Sequence, residues 1–87
     1  CNFTNHMYAL AAELLKKYEL PFEAMLPLID ETACKVHELE PFVAQTGPAV
    51  RYDKNVINEH LRMLADEPQM QELYREISEN IHRMATK

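Results

Sequence analysis

An all-α fold with four main helices is predicted for this chain on three observations. Apolar residues recur at spacings of three and four almost throughout. No alternating β-branched run and no Asn-Gly or Asp-Gly turn occurs, so strand signals are missing. The stops between periodic runs are prolines, one glycine and capping aspartates, the punctuation that separates helices.

The first run, CNFTNHMYALAAELLKKYEL, reads as one long helix. Phe3, Met7, Leu10, Leu14 and Tyr18 fall on one stripe. Glu13 can pair with Lys16 and Lys17 one turn on. Eighteen helical residues would span about 27 Å, against a radius of gyration of about 12 Å for a domain of this length. Tyr8, Ala12 and Leu15 add apolar surface beside the main stripe, which suits burial between two subunits.

Pro21 ends that helix and opens the second, which carries Met25, Leu28, Ile29, Thr32, Val36 and Leu39 on one face. Pro27 should kink this helix or mark its true first turn. Pro41 stops it, and Phe42, Val43 and Ala44 could add a short helical turn. Asp53 is a good cap for a third helix, whose inward stripe is Ile57, His60, Leu61 and Leu64. Asp66 would cap the fourth, with Pro68 in its first turn and Met70, Leu73, Tyr74, Ile77, Ile81 and Met84 as its apolar face.

With 87 residues the chain is read as one small domain over 1–87. Such a domain buries only about 60–65% of its unfolded surface, so a partner surface would matter. Nine basic residues are scattered among fourteen acidic ones, a net charge of −5, which argues against nucleic-acid binding. No apolar run approaches the roughly 20 residues of a membrane span. Cys1 and Cys34 lack metal-type spacing and read as free thiols of a reducing, cytoplasmic compartment. His6, His37, His60 and His82 show no H-x-x-x-H or H-E-x-x-H spacing, so no metal site is expected. The first residue is not Met, so the chain reads as a piece of a longer protein.

Chemistry concentrates in QTGPAVRYD, Gln45 to Asp53, which holds the one glycine of the chain. Gly47 can take positive φ, and Pro48 pushes it out of the right-handed helical region. Thr46 offers a hydroxyl, and Arg51 a planar fork suited to a carboxylate or phosphate. Asp53 could orient Arg51, cap the next helix, or do both. One reading is an anion-holding corner. The other, which the residues alone favour, is an ordinary helix–helix connection. His60, on an apolar stripe, is either a satisfied core histidine or an acid–base group near that corner. Asn2 and Asn5 are either amides aimed at a ligand or part of a frayed helix start. No Gly-rich phosphate loop is present.

Together, CNF at the start of a long helix, TGPAVRYD after the second, HL on the third and LY on the fourth resemble a known pattern. It is that of the C-terminal helical domain, known as domain of unknown function 2520, of bacterial Rossmann-like oxidoreductases. These are related to pyrroline-5-carboxylate reductase and to proteins with C-terminal domains like that of 6-phosphogluconate dehydrogenase. The resemblance covers essentially the whole chain. Its specific part is Thr46, Gly47, Pro48, Arg51 and Asp53, with His60 and Leu61 behind. The family loop usually reads T-G-P-x-x-R-G-D, so Tyr52 stands where a glycine is usual. The family helix usually opens S-N-Y, so Asn2 is retained in Cys1-Asn2-Phe3.

The resemblance implies an N-terminal Rossmann domain binding NAD(P) in the full-length protein, with no cofactor site in this chain. It implies a homodimer formed through the long first helix and a cleft shared with the Rossmann domain. Asn2, Thr46, Gly47, Arg51, Asp53 and His60 would face a small-molecule substrate there, Arg51 on its carboxylate, His60 or Asn2 polarising the reacting group. The rival expectation is a stand-alone helical interaction module without a catalytic role.

Overall fold

The structure is a computed structural model and describes residues 1–86. Five α-helices follow one another: α1 Asn2–Lys17, α2 Leu26–Glu38, α3 Pro41–Ala44, α4 Lys54–Met63 and α5 Pro68–Ala85, with a 3₁₀ turn, Phe22–Met25, between α1 and α2. Among the described residues there is no strand. α3 is a single turn, so the main helices number four, as the periodicity predicts. The chain divides into two compact units, Cys1–Glu40 and Pro41–Lys87.

In the first unit, α1 ends three residues before the long run does, and the reason is a backbone closure. Tyr18 is the C-cap. The Leu20 amide donates to the Leu15 carbonyl at 2.9 Å and the Glu19 amide to the Lys16 carbonyl at 3.0 Å. This pairing is a Schellman motif, and it requires a left-handed residue after the cap. Glu19, at φ 57°, fills that place. Lys16 and Lys17 lie in the last turn, where positive charge suits the helix dipole. Pro21, extended at φ −76° and ψ 146°, then starts the 3₁₀ turn, which packs on both α1 and α2. α2 opens at Leu26 with Pro27 in its first turn, where the missing N–H costs nothing. Of the two readings of Pro27, the true first turn is therefore the one realised.

No residue of α1, α2 or the 3₁₀ turn is buried. Phe3 is 83% exposed and Leu28 60%, while Leu10, Leu14 and Leu15 are half-buried.

The second unit holds the core, Ala49, Ile57 and Leu64, and Ser78 is its buried polar residue. Asp53 caps α4, its Oδ1 accepting from the Val56 amide at 3.3 Å. α5 starts at Pro68 with Glu67, not Asp66, in the cap position. This places Pro68 at the first helical position, where its fixed φ fits best. α5 turns inward only part of the apolar stripe the sequence suggests: Met70, Tyr74 and Ile81 are half-buried. Leu73, Ile77 and Met84 are exposed, while Gln71, Tyr74, Ser78 and His82 are buried or half-buried. Polar partners hold that face. The Gln71 side-chain amide donates to the Leu61 carbonyl at 2.7 Å, tying α5 to α4. His82 reaches the loop before α4.

Candidate functional site

Residues 47–53 form a tight corner built almost entirely of backbone. Gly47 sits at φ 108°, a conformation that L side chains rarely adopt, and an added Cβ would meet nothing within 4 Å. Its requirement for glycine is thus one of backbone angle and not of space. After Pro48 the chain makes one helical turn and closes it as α1 is closed. The Asp53 amide donates to the Pro48 carbonyl at 2.9 Å, and the Tyr52 amide to the Ala49 carbonyl at 3.2 Å. Tyr52 occupies the left-handed place at φ 52°.

That angle gives a physical reason for the glycine usual at this position. Tyr52 accepts the strain but gains contacts. Its ring stacks on the His82 imidazole with centroids 4.6 Å apart and planes 25° from parallel. The Lys54 ammonium lies 5.5 Å from the ring centroid. His82 also donates its Nδ1–H to the Val50 carbonyl at 3.3 Å. One histidine of α5 therefore clamps the corner by both a hydrogen bond and a stacked ring. No motif marks His82, because its partners lie about thirty residues away in sequence.

Arg51 projects from this corner. Its Nη1 donates to the Gly47 carbonyl at 3.2 Å, and its Nε lies 3.8 Å from Asp53 Oδ2. The Arg51 side chain is 64% exposed and that of Asp53 31%. Asp53 thus does both things open to it: one oxygen caps α4 and the other faces the guanidinium. Thr46 is exposed beside Gly47, and its carbonyl accepts from the Gln45 amide at 3.2 Å. Such an exposed, tethered guanidinium can engage an anion with its remaining N–H groups.

His60 faces inward from α4, half-buried as its stripe predicts. Its Nδ1 lies 2.6 Å from the Tyr74 hydroxyl, and the rings meet edge to face at 5.6 Å and 78°. Burial raises the Tyr74 phenol above its ordinary pKa, and a hydrogen bond from Ser78 opposes that shift. His60 and Tyr74 therefore form a polar link between α4 and α5, with Ser78 buried one turn further along α5. Tyr74 reads in the sequence as one more apolar-stripe residue. Its hydroxyl is the signal, because a buried phenol needs a partner.

Asn2 belongs to the first unit, exposed in the first turn of α1, where the Cys1 cap makes no side-chain hydrogen bond. The structure brings Thr46, Gly47, Arg51 and Asp53 together, and His60 is held separately by Tyr74. An apolar pocket of about 300 Å³ lies in the second unit, lined by Phe42, Val50, Ile81 and Met84 among others. Arg51 and His60 do not line it. Among the described residues no group of His, Cys, Asp and Glu could hold a metal ion. Among them, too, no helix is long and apolar enough to cross a membrane.

Comparison with known proteins adds family evidence. Residues 1–81 match the domain of unknown function DUF2520. The crystal structure of a "putative NADP oxidoreductase" from Bacteroides fragilis is similar over 95% of this chain, with 77% sequence identity and a TM-score of 0.94. The match covers 32% of that protein, so this chain spans about a third of its length. No curated protein matches the chain. On the family match, which runs from the start of α1 to near the end of α5, this helical chain belongs to the DUF2520 family.

Proposed function

We propose that the chain is the C-terminal dimerisation and substrate-binding domain of an NADP-dependent oxidoreductase, and that residues 1–87 work as one domain within it. The observation that carries the reading is the 77% identity, over 95% of this chain, to a third of a larger protein named for NADP oxidoreduction. The cofactor does not fit the residues present. The one glycine is held in a helix–helix corner, with no run of glycines before a helix N-terminus to cradle a pyrophosphate. NADP binding is therefore assigned to a Rossmann domain elsewhere in the longer protein, and hydride chemistry belongs there.

The chain's own part is to bind and orient. Arg51, tethered to Gly47 and Asp53, takes a substrate carboxylate, with Thr46 beside it. His60 or Asn2 polarises the reacting group. Dimerisation is assigned to α1 because its apolar residues lack cover: Phe3 is 83% exposed, Met7 41% and Tyr18 49%. Burying apolar surface yields about 25 cal/mol per Å², so such a stripe gains by meeting a second copy.

The parent reading frame tests the first half. A strand, a G-x-G-x-x-G turn and a helix upstream of Cys1 are expected, and a frame without them favours the stand-alone interaction module. Sizing chromatography across a concentration series tests the second, with a dimer expected. A strict monomer removes the role given to α1.

A further inference from the structure

We propose that Tyr74 is the positioning residue for His60: its phenol donates to Nδ1, fixes the ring as the Nε2–H tautomer, and so makes His60 a hydrogen-bond donor toward the substrate and not a base. The donor half of this rests on the site reading above; the tautomer half stands on the geometry alone.

The 2.6 Å contact can be made in two ways. Either the phenol donates to Nδ1, or Nδ1–H donates to the phenol oxygen. A neutral imidazole nitrogen is a far better acceptor than a phenol oxygen, and a phenol is the stronger donor of the two. Burial of the phenol favours its protonated form, so its hydrogen is available to His60, and Ser78, buried one turn on, opposes that shift only in part. The raised pKa keeps that hydrogen in place. The edge-to-face ring contact fixes the imidazole plane. Nε2, on the far side of the ring, then carries the N–H.

A neutral histidine presenting N–H polarises a carbonyl or imine through a hydrogen bond while itself staying neutral. The role is that hydrogen bond, and no proton transfer is written through it. Tyr74 touches His60 and acts only through it.

The test is a long-range proton–nitrogen correlation spectrum of the histidine side chains, recorded on ¹⁵N-labelled protein at a pH where the ring is neutral. His60 is expected to show a protonated Nε2 and a hydrogen-bonded, unprotonated Nδ1. In Tyr74→Phe the edge contact remains but Nδ1 loses its donor, so its resonance moves and the tautomers begin to mix. A protonated Nδ1 in the wild type overturns the proposal, as does an Nδ1 resonance unmoved in Tyr74→Phe. The wild-type spectrum decides the tautomer even where the variant folds poorly. In the full-length oxidoreductase, Tyr74→Phe is expected to lower kcat about tenfold, the scale of one hydrogen bond, with the KM for cofactor unchanged. Should His60→Ala leave turnover untouched, the substrate role given to His60 falls and the tautomer assignment stands.

Discussion

Tyr52 carries two opposing energies, and replacing it twice separates them. Its left-handed backbone, at φ 52°, costs about 1–2 kcal/mol for any residue with a Cβ. Its ring stack on His82 returns about 0.5–1.5 kcal/mol beyond the area it covers. Tyr52→Ala removes the stack and keeps the strain, so the second unit should lose about 1 kcal/mol or somewhat more. Tyr52→Gly removes both. Glycine adds about 0.4–1 kcal/mol of unfolded-state entropy, so it should still recover about 0.5–1 kcal/mol relative to alanine. For a chain of this size 1 kcal/mol moves the melting temperature by about 4–8 °C. Urea unfolding, followed by the amide resonances of α4 and α5, reports on the unit that contains the loop. The order of stability should be wild type and Tyr52→Gly close together, with Tyr52→Ala below both. If alanine and glycine unfold at the same midpoint, the left-handed closure of the 47–53 corner is wrong. If alanine equals the wild type, the stack on His82 contributes nothing.

Other perturbations follow from the same geometry. Arg51→Ala should barely change stability, since an exposed pair and one exposed hydrogen bond are worth at most about 1 kcal/mol together. In the full-length protein it should lower kcat/KM about 10- to 150-fold, the loss of one charge-assisted hydrogen bond; a collapse of the fold would make Arg51 structural. Glu19→Gly should stabilise α1 by about 0.5–1 kcal/mol, seen as slower amide exchange in residues 14–18, because it relieves strain and loses no stack. Tyr74 predicts an alkaline limit. Its folded pKa is raised, so above about pH 10 the unfolded chain releases a proton that the folded one keeps, and stability falls with rising pH. Tyr74→Phe should flatten that part of a pH–melting curve.

Helix count and most boundaries follow from local chemistry that a sequence displays openly. Pro21, Pro27, Pro41 and Pro68 each stand at or beside a helix start, and Asp53 caps α4. Gly47 takes the positive φ its neighbour Pro48 suggests. What stays hidden is set by tertiary partners. Glu19 and Tyr52 hold places that glycine usually marks, so neither closure could be read from residue type. The inward face of α5 is chosen by Gln71, Tyr74 and His82, whose carbonyl and imidazole partners lie ten to thirty-two residues away. Periodicity weighs apolar residues alone and so favours Leu73 and Ile77, which are exposed. In the candidate site, Arg51 and Asp53 are near neighbours and their contact was open to inference. The link from His60 to Tyr74 joins two helices and was not.

The uncovered state of α1 and α2 has a thermodynamic corollary. An amphipathic helix of this length is marginal in water unless its apolar face is docked, because nucleation is costly. If α1 makes the subunit contact proposed above, helix content and association become one equilibrium for Cys1–Glu40 instead of two. A melting temperature for that segment would have meaning only beside the concentration at which it was taken. Dilution should erode its circular dichroism long before any denaturant is added.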